Sequence, residues 1–195
     1  SSDTVVMNNL NITGLITLTN TVWDDMAMPL FSAGKPGSDP YEMLTYRSGI
    51  QMPAFADNPL NTEEGALIMF QLSHRVKPGS LWELHCHGSP GSYNATGKNV
   101  TFFIEYSCAN ITKIFTANNM RNVTFNLTSA EPYSHQPLSF GYATDCPASM
   151  SQIILMRLHR NSSLASDTVV APFFVPSCDI HQEISRMGSD NEASG

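Results

Sequence analysis

Short strand-like runs separated by turn residues constrain this fold more than any other feature of the sequence. Runs with apolar, β-branched or aromatic residues at alternate positions cover 66–73, 80–87, 100–109, 111–116, 122–128, 151–159, 168–176 and 180–186. The connecting segments are rich in Gly, Pro, Asn and Ser, and none of the runs repeats with a helical period. Such a series of strands predicts an all-β chain, a jelly-roll-like β-sandwich with an extended N-terminal strand.

The chain length of 195 residues favours one domain. Residues 23–61 are interrupted by five prolines and three glycines, which predict irregular surface structure with at most short strands. We therefore expect a β-sandwich domain at 23–195, preceded by an extended arm at 1–22.

The N-terminal arm alternates apolar and polar residues between Leu10 and Val22, with two exceptions. Thirteen extended residues would reach about 43 Å, more than twice a typical strand. A lone strand exposes backbone N–H and C=O groups, and donating it to the open sheet edge of another copy would satisfy them.

The donated strand would bury Ile12, Ile16 and Leu18, a contribution on the order of 5 kcal/mol before ordering costs. Gly14 fits a position where two backbones approach closely. Head-to-tail contacts of this kind do not close, so they would propagate a fibre. The self-assembly residues of this hypothesis are Leu10, Ile12, Gly14, Ile16 and Leu18. The alternative is that residues 10–22 form an ordinary first strand of their own domain.

Charge and hydropathy exclude several partners. Seventeen acidic residues oppose ten basic ones, for a formal charge of -7, so the clustered Lys and Arg that bind nucleic acid are missing. No apolar window reaches the length needed to span a bilayer, so we expect no membrane partner.

Asparagine sequons are unusually frequent. Seven of the 15 asparagines precede x-Ser or x-Thr, where chance would place about three. In five sequons the middle residue is apolar, so that on a strand Asn and Thr would face outward and the apolar residue inward. We expect N-linked glycans at Asn11, Asn94, Asn99, Asn110, Asn122, Asn126 and Asn161. The alternative is that a Ser/Thr/Asn-rich β chain contains sequons that carry no sugar.

The four cysteines Cys86, Cys108, Cys146 and Cys178 lie far apart without C-x-x-C spacing, which argues against a zinc ribbon or redox motif. An even number beside many sequons indicates two disulfides formed in an oxidising, extracellular compartment. Three pairings are open. Four reduced, buried thiols are the alternative.

A His-x-His pair is the sharpest candidate for chemistry. His85 and His87 share one face of a predicted strand and could chelate one divalent ion, as in the first metal motif of cupins. The glutamate that continues the cupin motif is missing, so further ligands would have to come from His74 or His181. The alternative is that these histidines form hydrogen bonds within a strand or at a subunit contact.

Catalytic signatures are missing elsewhere. The chain has no G-x-S-x-G elbow, phosphate-binding glycine loop or H-E-x-x-H motif, and its adjacent acidic pairs diverge on extended backbone. We therefore expect no enzyme activity and no required cofactor. Trp23 and Trp82 would anchor the core, although an exposed one could stack on a sugar.

Several short strings, in shared order, resemble a β domain that recurs in structural proteins of bacteriophages and environmental viruses. The strings are Val22–Asp25 with Pro29, Phe70–His74 with Lys77–Ser80, His85–His87, Leu155–Arg160, Ser166–Thr168, Asp179–His181 and Met187–Ser189. The resemblance implies a non-enzymatic role in a particle or fibre. It makes His74, His85, His87 and His181 the positions of a shared polar or metal site.

These patterns together favour a secreted, glycosylated β-sandwich that assembles with copies of itself into an extracellular filament or virion-associated fibre by strand exchange. Two alternatives come from other classes of protein. One is a carbohydrate-binding module with a glycan ligand, and the other is a cupin-like metal-binding protein that uses His85 and His87.

Overall fold

Ten strands and one short 3-10 turn, Leu30–Ser32, form the regular structure of the described residues, which are 16–36, 39–57 and 63–187 of a computed structural model. Within these ranges, no helix is long and apolar enough to cross a bilayer. The strands are β1 Ile16–Pro29, β2 Glu42–Arg47, β3 Ile50–Phe55, β4 Glu64–Gln71, β5 Trp82–Pro90, β6 Lys98–Ala109, β7 Asn119–Leu127, β8 Gln136–Tyr142, β9 Ile153–Arg160 and β10 Phe173–Met187.

The strand pairing is that of a jelly roll. β3 pairs with β10, β4 with β9, β5 with β8 and β6 with β7, all antiparallel, as in a long hairpin folded over on itself. One sheet has the order β2-β3-β10-β5-β8, with β1 also on β10, and the second has the order β4-β9-β6-β7. The predicted all-β, jelly-roll-like sandwich with an extended first strand is therefore confirmed.

Alternating side chains build the core between the two sheets. On β5, Trp82, Leu84 and Cys86 are buried, while the residues between them face the outer surface. Phe102 packs edge-on against both Phe55 and Phe173, with ring centroids 5.3 and 5.9 Å apart. These contacts join the two sheets across the sandwich.

Five of the eight predicted runs each overlap one separate strand, β4, β5, β6, β7 or β9, and the other three differ in an instructive way. Residues 111–116 form no strand, because they are exposed and Thr112 has a φ of 63°. The runs 168–176 and 180–186 contribute to one strand, β10, which begins only at Phe173. β8 was not predicted, and Pro137 and Gly141 within it explain why its sequence resembles a turn.

The N-terminal segment completes a sheet of its own subunit. β1 runs through the predicted boundary at residue 22 and pairs with β10 from Ile16↔Met187 to Pro29↔Ser177, with a register shift between Thr17 and Val22. Residues 16–22 are therefore part of the sandwich rather than a separate arm, because β10 offers them a free edge within the same chain. Ile16 and Leu18 lie in this strand, whereas Leu10, Ile12 and Gly14 lie outside the described residues.

The cysteines form two disulfides, Cys86–Cys178 and Cys108–Cys146, which settles the choice among three pairings. The first joins β5 to the neighbouring β10, at positions that are also register partners. The second joins β6 to the segment after β8, and so links the two sheets. Two disulfides indicate that the chain folds in an oxidising compartment.

A buried ion pair fixes the segment between β9 and β10. Arg160 is 1% exposed, and its guanidinium donates to both carboxylate oxygens of Asp167, at 2.9 and 2.8 Å. It also donates to the carbonyl oxygens of Phe55, Val169 and Ala171. Arg160 is therefore a shared charged donor to four acceptor residues in this segment and on β3.

We expect Asp167→Asn to lower the free energy of unfolding by about 3 kcal/mol, because it leaves a buried guanidinium without its counter-charge. The matched control is Glu63→Gln, which removes a half-exposed carboxylate 3.3 Å from Arg157 and should cost less than about 1 kcal/mol. Urea unfolding of both variants measures the difference. Equal losses would contradict the assigned role of the Arg160–Asp167 pair.

His159 is a buried, neutral histidine on the outer face of the second sheet. Its ring stacks on Phe103, and neither ring nitrogen makes a hydrogen bond to the described residues. Burial lowers the pKa of His159, and the neighbouring Arg157 lowers it further, against the opposing effect of Glu63 and Glu105. The imidazole is therefore harder to protonate in the folded chain than in the unfolded one.

Because the folded-state pKa of His159 lies below its ordinary value of 6.5, we expect stability to be full above pH 6.5 and to fall as the pH drops through that lowered pKa. His159→Phe keeps an aromatic ring on Phe103 but cannot titrate, so its melting temperature should fall less over the same range. Thermal unfolding between pH 5 and 8, with a chelator present, measures this. Parallel pH profiles for the two proteins would refute the assignment.

Candidate metal centre

Four side chains on the outer face of the first sheet converge because of the register of β5 and β10. His85 on β5 lies opposite Asp179 on β10. His87 comes two residues after His85, and His181 comes two residues after Asp179. Because the two strands are antiparallel, His87 and His181 lie on opposite sides of the His85–Asp179 pair. Alternation turns all four outward while Cys86, Cys178 and Ile180 face the core.

The donor atoms of this cluster are close to one another. His85 Nε2 lies 3.0 Å and His181 Nε2 3.5 Å from Asp179 Oδ2, and His87 Nε2 lies 3.3 Å from Asp179 Oδ1. His85 Nε2 and His87 Nε2 are 3.1 Å apart. Ligand atoms of His85, Asp179 and His181 all lie within 4.8 Å of one another.

These separations match the edges of a metal coordination sphere. Bonds of about 2.0–2.1 Å to a single ion place tetrahedral ligand atoms about 3.3–3.4 Å apart, and octahedral ones about 2.9 Å apart. The four separations in the cluster, 3.0–3.5 Å, fall in or close to this range. Imidazole nitrogens with one carboxylate suit zinc and its first-row neighbours, rather than calcium or magnesium.

The burial of Asp179 and His85 favours the binding of a cation by the cluster. Asp179 is only 5% exposed, and its Oδ1 makes no hydrogen bond to the described residues, although His87 lies near it. An ionised carboxylate in that position needs a nearby positive charge. Burial lowers the pKa of His85 while Asp179 opposes the shift, and electrostatic interaction with His181 and His87 lowers it further. The neutral imidazole, which is the form that binds a metal, is therefore favoured.

Two further residues extend the cluster. His87 Nδ1 lies 2.6 Å from Nε2 of His135, so one of these two rings donates a hydrogen bond to the other. This contact orients the His87 ring with its Nε2 toward Asp179. On the other side, Asp25 of β1 places Oδ1 3.2 Å from His181 Nε2. Residues of three adjacent strands therefore meet at this point.

The sequence predicted three of these residues and missed three. His85, His87 and His181 are brought together, whereas His74 lies elsewhere, with Nε2 2.7 Å from Ser151 Oγ. Asp179, Asp25 and His135 were not predicted. Asp179 stands two residues before His181, and this Asp-x-His spacing, which mirrors His85-x-His87, was the available signal. Metal binding itself stays a prediction.

The sequons have mixed exposure. On β7, Asn122 and Asn126 are exposed, while Val123 and Phe125 between them pack against the core. Asn126 Nδ2 donates to Asn99 Oδ1, directly across the strand pair. Asn94 and Asn110 are exposed, Asn99 and Asn161 are half-buried, and Asn11 lies outside the described residues. Whether they carry sugar stays a prediction.

Comparisons with known proteins give only distant likenesses. No family model matches the chain, and no curated protein matches it. The resemblance to viral structural proteins therefore stays a prediction. A carbohydrate-binding module solved with beta-1,4-galactotriose, TmCBM61, is 8% identical, covers 82% of this chain and 88% of its own, and has a TM-score of 0.35.

A second solved structure is similar to the same degree. The CBM22-2 xylan-binding domain from Paenibacillus barcinonensis Xyn10C is 10% identical, covers 90% of this chain and 93% of its own, and has a TM-score of 0.34. With such low identities and TM-scores, neither likeness carries information about what this chain binds.

Proposed function

We propose that this chain is an extracellular β-sandwich protein that binds one divalent ion of the zinc class on the outer face of its first sheet. His85, His181 and Asp179 are the central ligands, and His87 is the fourth. The observation that carries the proposal is the convergence of three imidazole Nε2 atoms on one buried carboxylate, at separations of 3.0–3.5 Å. The two disulfides support the extracellular location.

The proposal accounts for the close approach of several acceptor groups. The Nε2 atoms of His85 and His87, 3.1 Å apart, form a hydrogen bond only when one of the two is protonated. A cation would bind both nitrogens as lone-pair donors, and would also provide the positive charge that Asp179 needs. The contact between His135 and Nδ1 of His87, the ring nitrogen that would not bind the ion, is that expected of a group that orients a metal ligand.

We expect the purified chain to bind one equivalent of Zn²⁺ in isothermal titration calorimetry, and to gain thermal stability as the free ion exceeds its dissociation constant. His85→Ala should weaken binding by at least about a hundredfold, because it removes a ligand near the centre of the cluster. The matched control is His74→Ala, a half-buried histidine outside the cluster, which should bind as the wild type does.

Two results would refute the metal site. One is a wild-type chain that takes up no stoichiometric Zn²⁺ near pH 7.5. The other is a His74→Ala variant that loses as much affinity as His85→Ala, which would show that the loss reflects general destabilisation.

Assembly into a filament or virion fibre is a separate proposal, supported by the alternation of residues 10–22. Since residues 16–22 pair with β10 of their own chain, exchange would require this strand to leave its subunit and enter the same place in another copy. Deleting residues 1–21 should then abolish large particles in dynamic light scattering. A truncated chain that still polymerises would remove the strand from the mechanism.

A further inference from the structure

An exposed aromatic pair lies on the same sheet face as the histidine cluster. Trp23 is 46% exposed and Tyr142 is 43% exposed, although both are large rings that normally gain free energy from burial. Their ring centroids are 6.2 Å apart, with the planes tilted by 47°. The metal centre does not use either ring.

The position of the two rings follows from the strand order. Trp23 is on β1 and Tyr142 on β8, and two strands, β10 and β5, lie between them. Backbones three strand spacings apart are separated by about 14 Å. Rings only 6.2 Å apart must therefore extend toward each other over β10 and β5, so that they cover the sheet on one side and meet solvent on the other.

We propose that this face binds a neutral oligosaccharide over about two sugar rings, with one ring on Trp23 and Tyr142 and the next toward the metal ion. The inference rests on the proposed function only for the part that the ion plays. A sugar ring offers an apolar face of C–H bonds, which suits the negative face of an aromatic ring, and a rim of hydroxyl groups that donate hydrogen bonds.

The polar groups between the aromatic pair and the ion fit such a ligand. Asp25, His181, Glu83 and Tyr142 occupy one row across four strands, in register. The Glu83 carboxylate is held by a hydrogen bond from Ser139, with Oγ 2.5 Å from Oε1. Carboxylate oxygens accept hydrogen bonds from hydroxyls, so Glu83 and Asp25 are placed to accept hydrogen bonds from the hydroxyl groups around the sugar ring.

The span of the row sets the length of the ligand. The row from Asp25 to Tyr142 crosses three strand spacings, or about 14 Å, which is longer than a single sugar ring and leaves room for two. An ion held by all four ligands of the cluster would take a hydroxyl oxygen of the second sugar as a fifth ligand, by expanding its coordination beyond four.

A cationic ligand is the competing occupant of the same groups. Aromatic faces beside carboxylates also attract ammonium ions. The sugar is favoured because Glu183 is already paired with Lys77, at 2.7 Å, and because an ion bound by the histidine cluster would repel a second cation. Glu83 and Asp25 remain able to accept hydrogen bonds.

Tryptophan fluorescence gives a direct test, because Trp82 is 1% exposed and Trp23 is the exposed reporter. The zinc-loaded wild-type chain is titrated with cellobiose, xylobiose, galactobiose and mannobiose, and with tetramethylammonium as the cationic probe. We expect at least one disaccharide to change the emission saturably in the millimolar range or below. No response to any disaccharide, or a response to tetramethylammonium alone, would overturn the inference.

Variants separate the two sites. Tyr142→Ala, followed by fluorescence, and Trp23→Ala, followed by calorimetry, should each weaken disaccharide binding at least tenfold and leave Zn²⁺ affinity unchanged. Phe31→Ala removes another exposed aromatic ring, 53% exposed and outside this row, and should bind as the wild type does. Equal disaccharide affinity in Trp23→Ala and wild type would overturn the inference.

The dependence of disaccharide binding on zinc tests whether the ion takes part in that binding. His85→Ala should weaken disaccharide binding about tenfold, and the wild type with EDTA should behave in the same way. Disaccharide binding that is indifferent to zinc would overturn the role of the ion and leave the aromatic site supported. A chain that binds Zn²⁺ normally but no sugar would overturn the aromatic site and leave the metal site standing.

Discussion

The disulfide between Cys86 and Cys178 is the constraint on which the site depends. It joins β5 and β10 at register partners, so that neither strand can slip against the other. A slip of one residue would turn His85 and His87 into the core and Cys86 outward. The same covalent link therefore fixes both the core face and the outer face. His85 and Asp179 are the residues directly beside it, on their respective strands.

The jelly-roll topology explains why such distant residues meet. β10 is an inner strand, with β5 on one edge and β1 and β3 on the other, so segments from both ends of the chain pack against it. Asp25, His85 and His181 are far apart in sequence but lie on adjacent strands of one sheet face. The long, folded-over hairpin of the jelly roll also places the metal centre and the aromatic pair on the same sheet face.

The outer face of the first sheet carries energetic costs that the rest of the fold offsets. Asp179 is a buried carboxylate beside His85, whose pKa is lowered by burial, and Trp23 and Tyr142 leave large apolar surfaces in water. Against this, the sandwich has two disulfides, the Arg160–Asp167 pair and an aromatic core. Such unfavourable features gathered on one face, within a stable frame, are typical of binding sites.

Alternation in sequence was enough to predict the class of fold and most strands, because a half-buried strand repeats every two residues whatever it pairs with. It also showed that His85 and His87 share a face. It failed at β8, where Pro137 and Gly141 interrupt the pattern, and at residues 111–116, which alternate but find no partner strand. The alternation within one segment does not show whether a sheet edge is free to pair with that segment.

The sequence by itself therefore determined an all-β sandwich with paired cysteines and a His-x-His pair on one strand face. The tertiary structure alone decided the disulfide pairing, the place of residues 16–22 on β10, and the partners of His85. Asp179, Asp25 and His135 join the cluster through strand register and sheet order. These depend on contacts between residues distant in the chain, and no single strand carries that information.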